Sequence, residues 1–182
     1  FVERPGPSGK RNLESFKIMA NAVSRNGDSL RKMIGVEVVG MTACPCAMET
    51  VKEQYGNNVA FENDLPIISH NQRNIATVMV EVPEEYDVEA NELIDLVESS
   101  FSSATYEVLK RADEAAVVLQ AHQQPKFVED VVRTMLSKLL VHLEDMPDGA
   151  LVTVRSESEE SIHKHNAFAE RTASLGELRT GD

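Results

Sequence analysis

Tryptophan is absent, and cysteine occurs only twice, at Cys44 and Cys46. A single residue, Pro45, separates the two, which makes a mutual disulfide geometrically awkward, so no cross-link framework holds this chain together and the thiols are available for chemistry. Positive charge is also scarce. With 18 Lys+Arg against 30 Asp+Glu the formal charge is −12, which excludes a general nucleic-acid binder, whose affinity comes from neutralising phosphates. No apolar run approaches the roughly 18 residues of a membrane span, and no basic-then-apolar leader is visible, so the expectation is a cytoplasmic protein without a membrane partner. Nine Gly and seven Pro are too few for a collagen-like or low-complexity chain. What remains is 182 residues that are 42% hydrophobic, enough for one large or two small packed domains.

The segment Glu3-Arg4-Pro5-Gly6-Pro7-Ser8-Gly9-Lys10-Arg11 reads as a loop or linker, and the chain starts at Phe1. Residues 1–12 are therefore read as the end of a preceding module and the chain as a fragment, with residues 13–171 as the main module and 172–182 as a polar tail that frays after Leu178. Asn26-Gly27 is a two-residue hairpin signal between the arms Phe16–Val23 and Leu30–Val39, although the first arm also fits helical spacing. A short helix is expected around Met48–Tyr55, a loop over Gly56–Pro66, and a strand over Ile75–Val82. Ala90, Leu93, Ile94, Val97 and Phe101 recur at three- and four-residue steps, which predicts an amphipathic helix over Glu89–Phe101. Pro125 suits the first position of a second long helix carrying the stripe Val128, Val131, Val132, Met135, Leu136, Leu139 and Leu143 and ending near Pro147. Ala150–Val154 alternates as a strand. The order of elements predicts an α+β fold, with helices on one face of an antiparallel sheet.

Several polar residues stand where chemistry is done. Cys44-Pro45-Cys46 follows the Val36–Met41 strand and so sits at a strand end. His70 lies in Ser69-His70-Asn71-Gln72-Arg73, a polar run abutting a strand. His163 and His165 form a second cluster, and one of them is expected to reach a common site: on a strand both would face one way, on a helix nearly opposite ways. Glu129 falls at the edge of the apolar arc of the second long helix, where an acid needs a partner. Glu107 and Glu114 fit an ordinary charged helix face equally well, and His122 and His142 read as structural. Cysteine, histidine and carboxylate together suit zinc or ferrous iron, and an open position on such an ion would activate a water for hydrolysis. On residues alone the chain is a candidate metallo-hydrolase of unknown substrate.

Four blocks in order, Met33 to Ala47, Ser69 to Arg73, Pro125 to Arg133 and Glu160 to Ala167, closely resemble the type IB GTP cyclohydrolases, above all their archaeal branch. The resemblance implies the tunnelling fold, a homo-oligomer (dimer or tetramer) with active sites at subunit interfaces, and GTP as substrate. It implies opening of the guanine imidazole ring, release of C8 as formate and formation of a dihydroneopterin (2′,3′-cyclic) phosphate for pterin biosynthesis. It implies Fe(II), with zinc or manganese tolerated in bacterial members. Carried over by motif, Cys44, His70, Glu114 and His163 are the expected metal ligands, and His70 and His163 the catalytic pair. Glu129 is expected to anchor the guanine edge by accepting two N–H bonds. Arg73 is the first candidate for the triphosphate, followed by Lys126, Lys10 and Arg11, while His165, Glu107 and Cys46 are secondary candidates. Two readings from other classes stand beside this one: a non-catalytic structural subunit of the same fold, and a thiol redox protein using Cys44 and Cys46.

Overall fold

The computed structural model describes residues 1–24, 29–55 and 66–181. The chain opens with β1 (Val2–Pro5) and β2 (Arg11–Glu14), then β3 (Lys17–Val23), β4 (Arg31–Ala43), α1 (Pro45–Tyr55) and β5 (Asn71–Pro83). It continues through α2 (Ala90–Glu98), β6 (Ser103–Ala104), α3 (Arg111–Gln123) and α4 (Val128–His142) to β7 (Leu151–Ser158), β8 (Ala167–Ser174) and α5 (Leu175–Thr180). The main sheet runs β3-β4-β5-β7-β8, with β6 paired to the far end of β4, and every pairing is antiparallel. This is the α+β arrangement expected for the tunnelling fold, as an open sheet with helices on one face.

Alternation builds the core. Val36 and Val38 of β4, Ala76, Val78, Val80 and Val82 of β5, and Val152 and Val154 of β7 all point to one side and are almost wholly buried. Onto them pack Leu93, Ile94 and Val97 of α2 and Val131, Met135 and Leu139 of α4, the two apolar helical stripes. Gly40 is required by packing: a Cβ built there would lie 2.1 Å from Cδ2 of the buried Phe101 ring.

Four expectations change. Residues 3–11 are not a linker: β1 and β2 pair antiparallel, and Gly9, at φ +78°, closes the turn by donating to the Gly6 carbonyl at 2.8 Å. The tail is not loose either, since Ala173 and Leu175 are buried and Arg179 donates to the carbonyls of Leu143, Glu144 and Met146, each at 3.0 Å. The second long helix starts at Val128 rather than Pro125, because the Lys126 N–H donates to the Ala43 carbonyl at the end of β4 and the Asp130 carboxylate accepts from Phe127 N at the new terminus. It also stops at His142, short of Pro147. Pro45, between the two cysteines, opens α1, where its missing N–H costs nothing. The Asn26-Gly27 turn and most of the expected Gly56–Pro66 loop lie outside the described residues, while the arms flanking the former pair as strands, Val23 opposite Arg31.

Candidate metal and substrate site

The strand ends carry the polar residues. Cys44 follows β4 directly, and its backbone N–H donates to the His70 carbonyl at 3.1 Å, so the lead-in to β5 lies against the end of β4. The Ser69 hydroxyl completes the junction by donating to the Cys44 carbonyl at 2.6 Å. His122 of α3 bonds through its two ring nitrogens to Val118 O at 2.8 Å and Ser69 O at 3.0 Å, pinning that helix to the same segment in the structural role expected of it. At the same end of β5, Glu159 N donates to Arg73 O at 2.9 Å, so the β7–β8 connection carrying Glu160, His163 and His165 folds over the same corner.

There the residues meet. A cavity of about 240 Å³ is lined by Cys44, His70, Glu129, Glu160, His163 and His165, with Thr42, Gln72, Lys126 and Phe127 among its other walls. His70, Glu160 and His163 each offer one ligand atom within 4.8 Å of the others, a spacing that suits a shared divalent cation. The His70 and Glu160 side chains are about nine-tenths buried and lie 3.8 Å apart at Nδ1 and Oε2. The His70 and His163 rings stand edge-on with centroids 6.1 Å apart, and His163 stacks on His165 at 5.4 Å. Both histidines of the pair thus line the cavity where only one was expected, because the connection between β7 and β8 is neither helix nor strand at that point. The donor set, two imidazoles and a carboxylate with a thiol in the same wall, is one that ferrous iron, zinc and manganese accept.

Glu129 reaches the rim from the first turn of α4, where the helix terminus favours a carboxylate. Lys126 serves the framework: its ammonium donates to Ser100 O at 2.8 Å, beyond the C-terminus of α2. Burial pulls its pKa below the usual lysine range, with Asp130 opposing. Lys138, which donates to Ser99 O, is lowered by burial first and by the Lys126 charge second.

The remaining candidates lie elsewhere on the chain. Arg73 points to the opposite face of the sheet from Gln72 and lines a cavity of about 280 Å³ together with Glu14, Ser15, Phe16, Tyr106 and Glu107. Glu114 lines an apolar cavity of about 560 Å³ against α3, with Ile68, Val118 and Leu119. Cys46 is exposed on α1. Arg11 pairs with Glu3 at 3.1 Å, and Lys10 stands beside it at the start of β2. Glu160 and Gln72 are not among the residues singled out from the sequence, although both stand inside the quoted motifs, Glu160 near His163 and Gln72 near His70. Their adjacency to His163 and His70 was the available signal.

Among the described residues no helix is long and apolar enough to cross a membrane. The family model described as type I GTP cyclohydrolase folE2 matches residues 1–169. GTP cyclohydrolase MptA of Methanothermobacter thermautotrophicus is 46% identical over 192 residues, covering 98% of this chain and 60% of that protein. The proteins of the same name from Methanosarcina mazei and Methanobrevibacter smithii are 45% and 42% identical, each over 98% of this chain and 62% of their own length. The chain therefore spans about three-fifths of the length of the curated relatives it matches. It is a member of the type I GTP cyclohydrolase family.

Proposed function

We propose that the protein is a metal-dependent GTP cyclohydrolase that opens the imidazole ring of the guanine of GTP, releases C8 as formate and two of the three phosphates as diphosphate, and yields a 7,8-dihydroneopterin (2′,3′-cyclic) phosphate for pterin biosynthesis. The observation that carries this reading is the convergence of Cys44, His70, Glu129 and His163, from four separate motifs, on one cavity. Family membership and the shared name of the relatives supply the substrate.

His70, Glu160 and His163, with Cys44 beside them, would hold the cation, Fe(II) in our reading with zinc or manganese as alternatives. Within one chain Glu160 takes the carboxylate position that the resemblance gives to Glu114. A cation bound there supplies Lewis acidity, bringing a water towards ionisation near neutral pH and polarising the carbon it attacks. The residues do the rest. Glu129 orients the base by accepting N–H bonds from the guanine edge, which leaves C8 turned towards the histidines. Where His163 is a ligand, its stacking partner His165 delivers the proton to the ring nitrogen that leaves as the C8–N bond breaks; where it is not, His163 delivers that proton itself. Arg73, on the far face of the sheet, would meet a triphosphate only across a subunit interface, which accords with a homo-oligomer, dimeric or tetrameric, whose sites need two surfaces. A cytoplasmic location follows from GTP as substrate.

The test is anaerobic incubation of the protein with GTP and Fe(II), Mn(II) or Zn(II), measuring formate and the mass of the pterin. Formate with a cyclic phosphate pterin is expected. Formate from none of the three metals would return the chain to the structural-subunit reading. Glu129→Gln should weaken GTP binding by leaving a guanine donor unpaired, and unchanged affinity would remove that role. His163→Asn should cost turnover more than metal binding if His163 is the proton donor, whereas an equal loss of metal makes it a ligand.

A further inference from the structure

Beneath the three candidate ligands lies a residue to which no role has been given. Gln72 is 8% exposed, on β5 opposite Thr42 of β4, and its amide touches two members of the triad at once. Its Oε1 is 2.8 Å from His70 Nδ1, and its Nε2 donates to Glu160 Oε1 at 3.4 Å.

These two contacts settle each other. A carboxylate only accepts hydrogen bonds, so the amide NH₂ must face Glu160 and the amide oxygen must face His70. An amide oxygen is in turn only an acceptor, so His70 Nδ1 must carry the ring proton. In the neutral imidazole that leaves Nε2 with the lone pair. The other neighbours of Nδ1 do not compete. Glu160 Oε2 at 3.8 Å is beyond hydrogen-bond range, and the Ser161 hydroxyl at 3.4 Å is distant and can turn to suit either tautomer.

We propose that Gln72 is a positioning residue that fixes His70 in the Nδ1–H tautomer, so that Nε2 is the nitrogen offered to a cation, and tethers the Glu160 carboxylate beside it. A ligand histidine whose second nitrogen is held by a buried acceptor keeps its ring orientation before the ion arrives, and loss of such a partner typically weakens binding. The strand supplies the rigidity: Gln72 is locked into the β4–β5 ladder, so its amide has little freedom to follow either partner. The role in metal binding rests on the proposed function, while the tautomer does not.

The experiment is a two-bond ¹H–¹⁵N correlation of metal-free protein labelled with ¹⁵N-histidine, at a pH above the ordinary histidine range so that the rings are neutral, followed by zinc titration against a chromophoric chelator. Wild type is expected to show His70 protonated at Nδ1. Gln72→Met, nearly the same volume, should move the proton wholly or partly to Nε2 and weaken zinc binding by about 10–100-fold. Glu160→Gln, whose side chain can donate as well as accept, removes the constraint that turns the Gln72 amide oxygen to His70 and should leave a mixture of tautomers. An Nε2–H tautomer in wild type overturns the proposal without any variant, and so does a folded Gln72→Met protein that keeps both the Nδ1 proton and the zinc affinity. An Nδ1–H wild type whose tautomer shifts in Gln72→Met supports the positioning role. If that same protein binds none of zinc, manganese or iron, the cyclohydrolase reading falls together with the metal-positioning role that rests on it, and the tautomer assignment stands.

Discussion

Gly40 offers a sharp test of how β4 is placed, and β4 delivers Cys44 four residues later. Its backbone pairs with Asn74 of β5 on one side and Ala104 of β6 on the other, so the strand cannot easily shift away from α2. In Gly40→Ala the new methyl would stand 2.1, 2.3 and 2.5 Å from three atoms of the Phe101 ring. Ordinary contact begins at 3.4 Å, so ring or strand must give by 3.4 − 2.1 = 1.3 Å. Phe101 is 2% exposed, so a ring that moves aside gives up buried contacts. Overpacking of this kind costs about 1–3 kcal/mol, and a displacement of this size at a doubly paired strand belongs at or above the upper end. Urea unfolding should show a lower midpoint at unchanged slope. Phe101→Ala alone should destabilise by about 3–5 kcal/mol through lost packing. Combined with Gly40→Ala it should recover at least about 1 kcal/mol of the sum, because the three ring atoms that the methyl would meet are then gone. Strict additivity of the two losses, or a Gly40→Ala protein as stable as wild type, would refute the close approach and the strand placement built on it.

Cys44→Ser should lower zinc affinity sharply, whereas Cys46→Ser, altering an exposed residue of α1, should leave it near wild type; equal losses in a chelator competition would restore the paired-thiol reading. The two lysines give a pH signature. Their folded pKa values lie below the ordinary 10.5, so between those depressed values and 10.5 the unfolded chain binds more protons than the folded one. Stability should therefore rise with pH in that window relative to a Lys126→Met/Lys138→Met double variant, and a difference that is flat or falls in urea midpoints from neutral pH upwards would contradict their burial. Arg179→Ala should cost about 1–2 kcal/mol by releasing three carbonyls beyond α4, with a matching drop in thermal midpoint; no drop would mean that α5 does not hold that corner.

Much of the fold was legible because it rests on periodicity. The valine alternation of β5 and the three-four spacing of α2 and α4 each put a continuous apolar face on one element, and a face that must leave water leaves few choices of layer. The failures have local causes. Residues 3–11 carry the Gly and Pro of a linker, yet the flanks pair because Gly9 can take a positive φ; composition alone does not separate a linker from a tight hairpin. Thr172 onwards looks like a polar tail because its inward-facing residues, Ala173 and Leu175 with Leu178 half-buried against the core, are too few and too irregularly spaced to show as a period. Pro125 suits a helix start, but a backbone bond from Lys126 to Ala43, invisible in any local pattern, delays the helix by a turn.

For the candidate site the division is clearer still. The amino-acid sequence by itself determined which chemistries were on hand, a thiol, imidazoles and carboxylates inside four ordered motifs, and with them the family. It also determined the layer order, since hydrophobic periodicity is a property of neighbouring residues. Which side chains share a cavity was decided by tertiary structure alone. His70 and Arg73 are three residues apart, yet pleating sends them to opposite faces of β5, one to each of two cavities. Glu160 and Gln72 are 88 residues apart and meet at hydrogen-bond distance because the β5–β7 ladder aligns their strand ends. Contacts of that span are set by sheet register, a collective outcome of every inward-facing residue along the strands, and no single motif carries it.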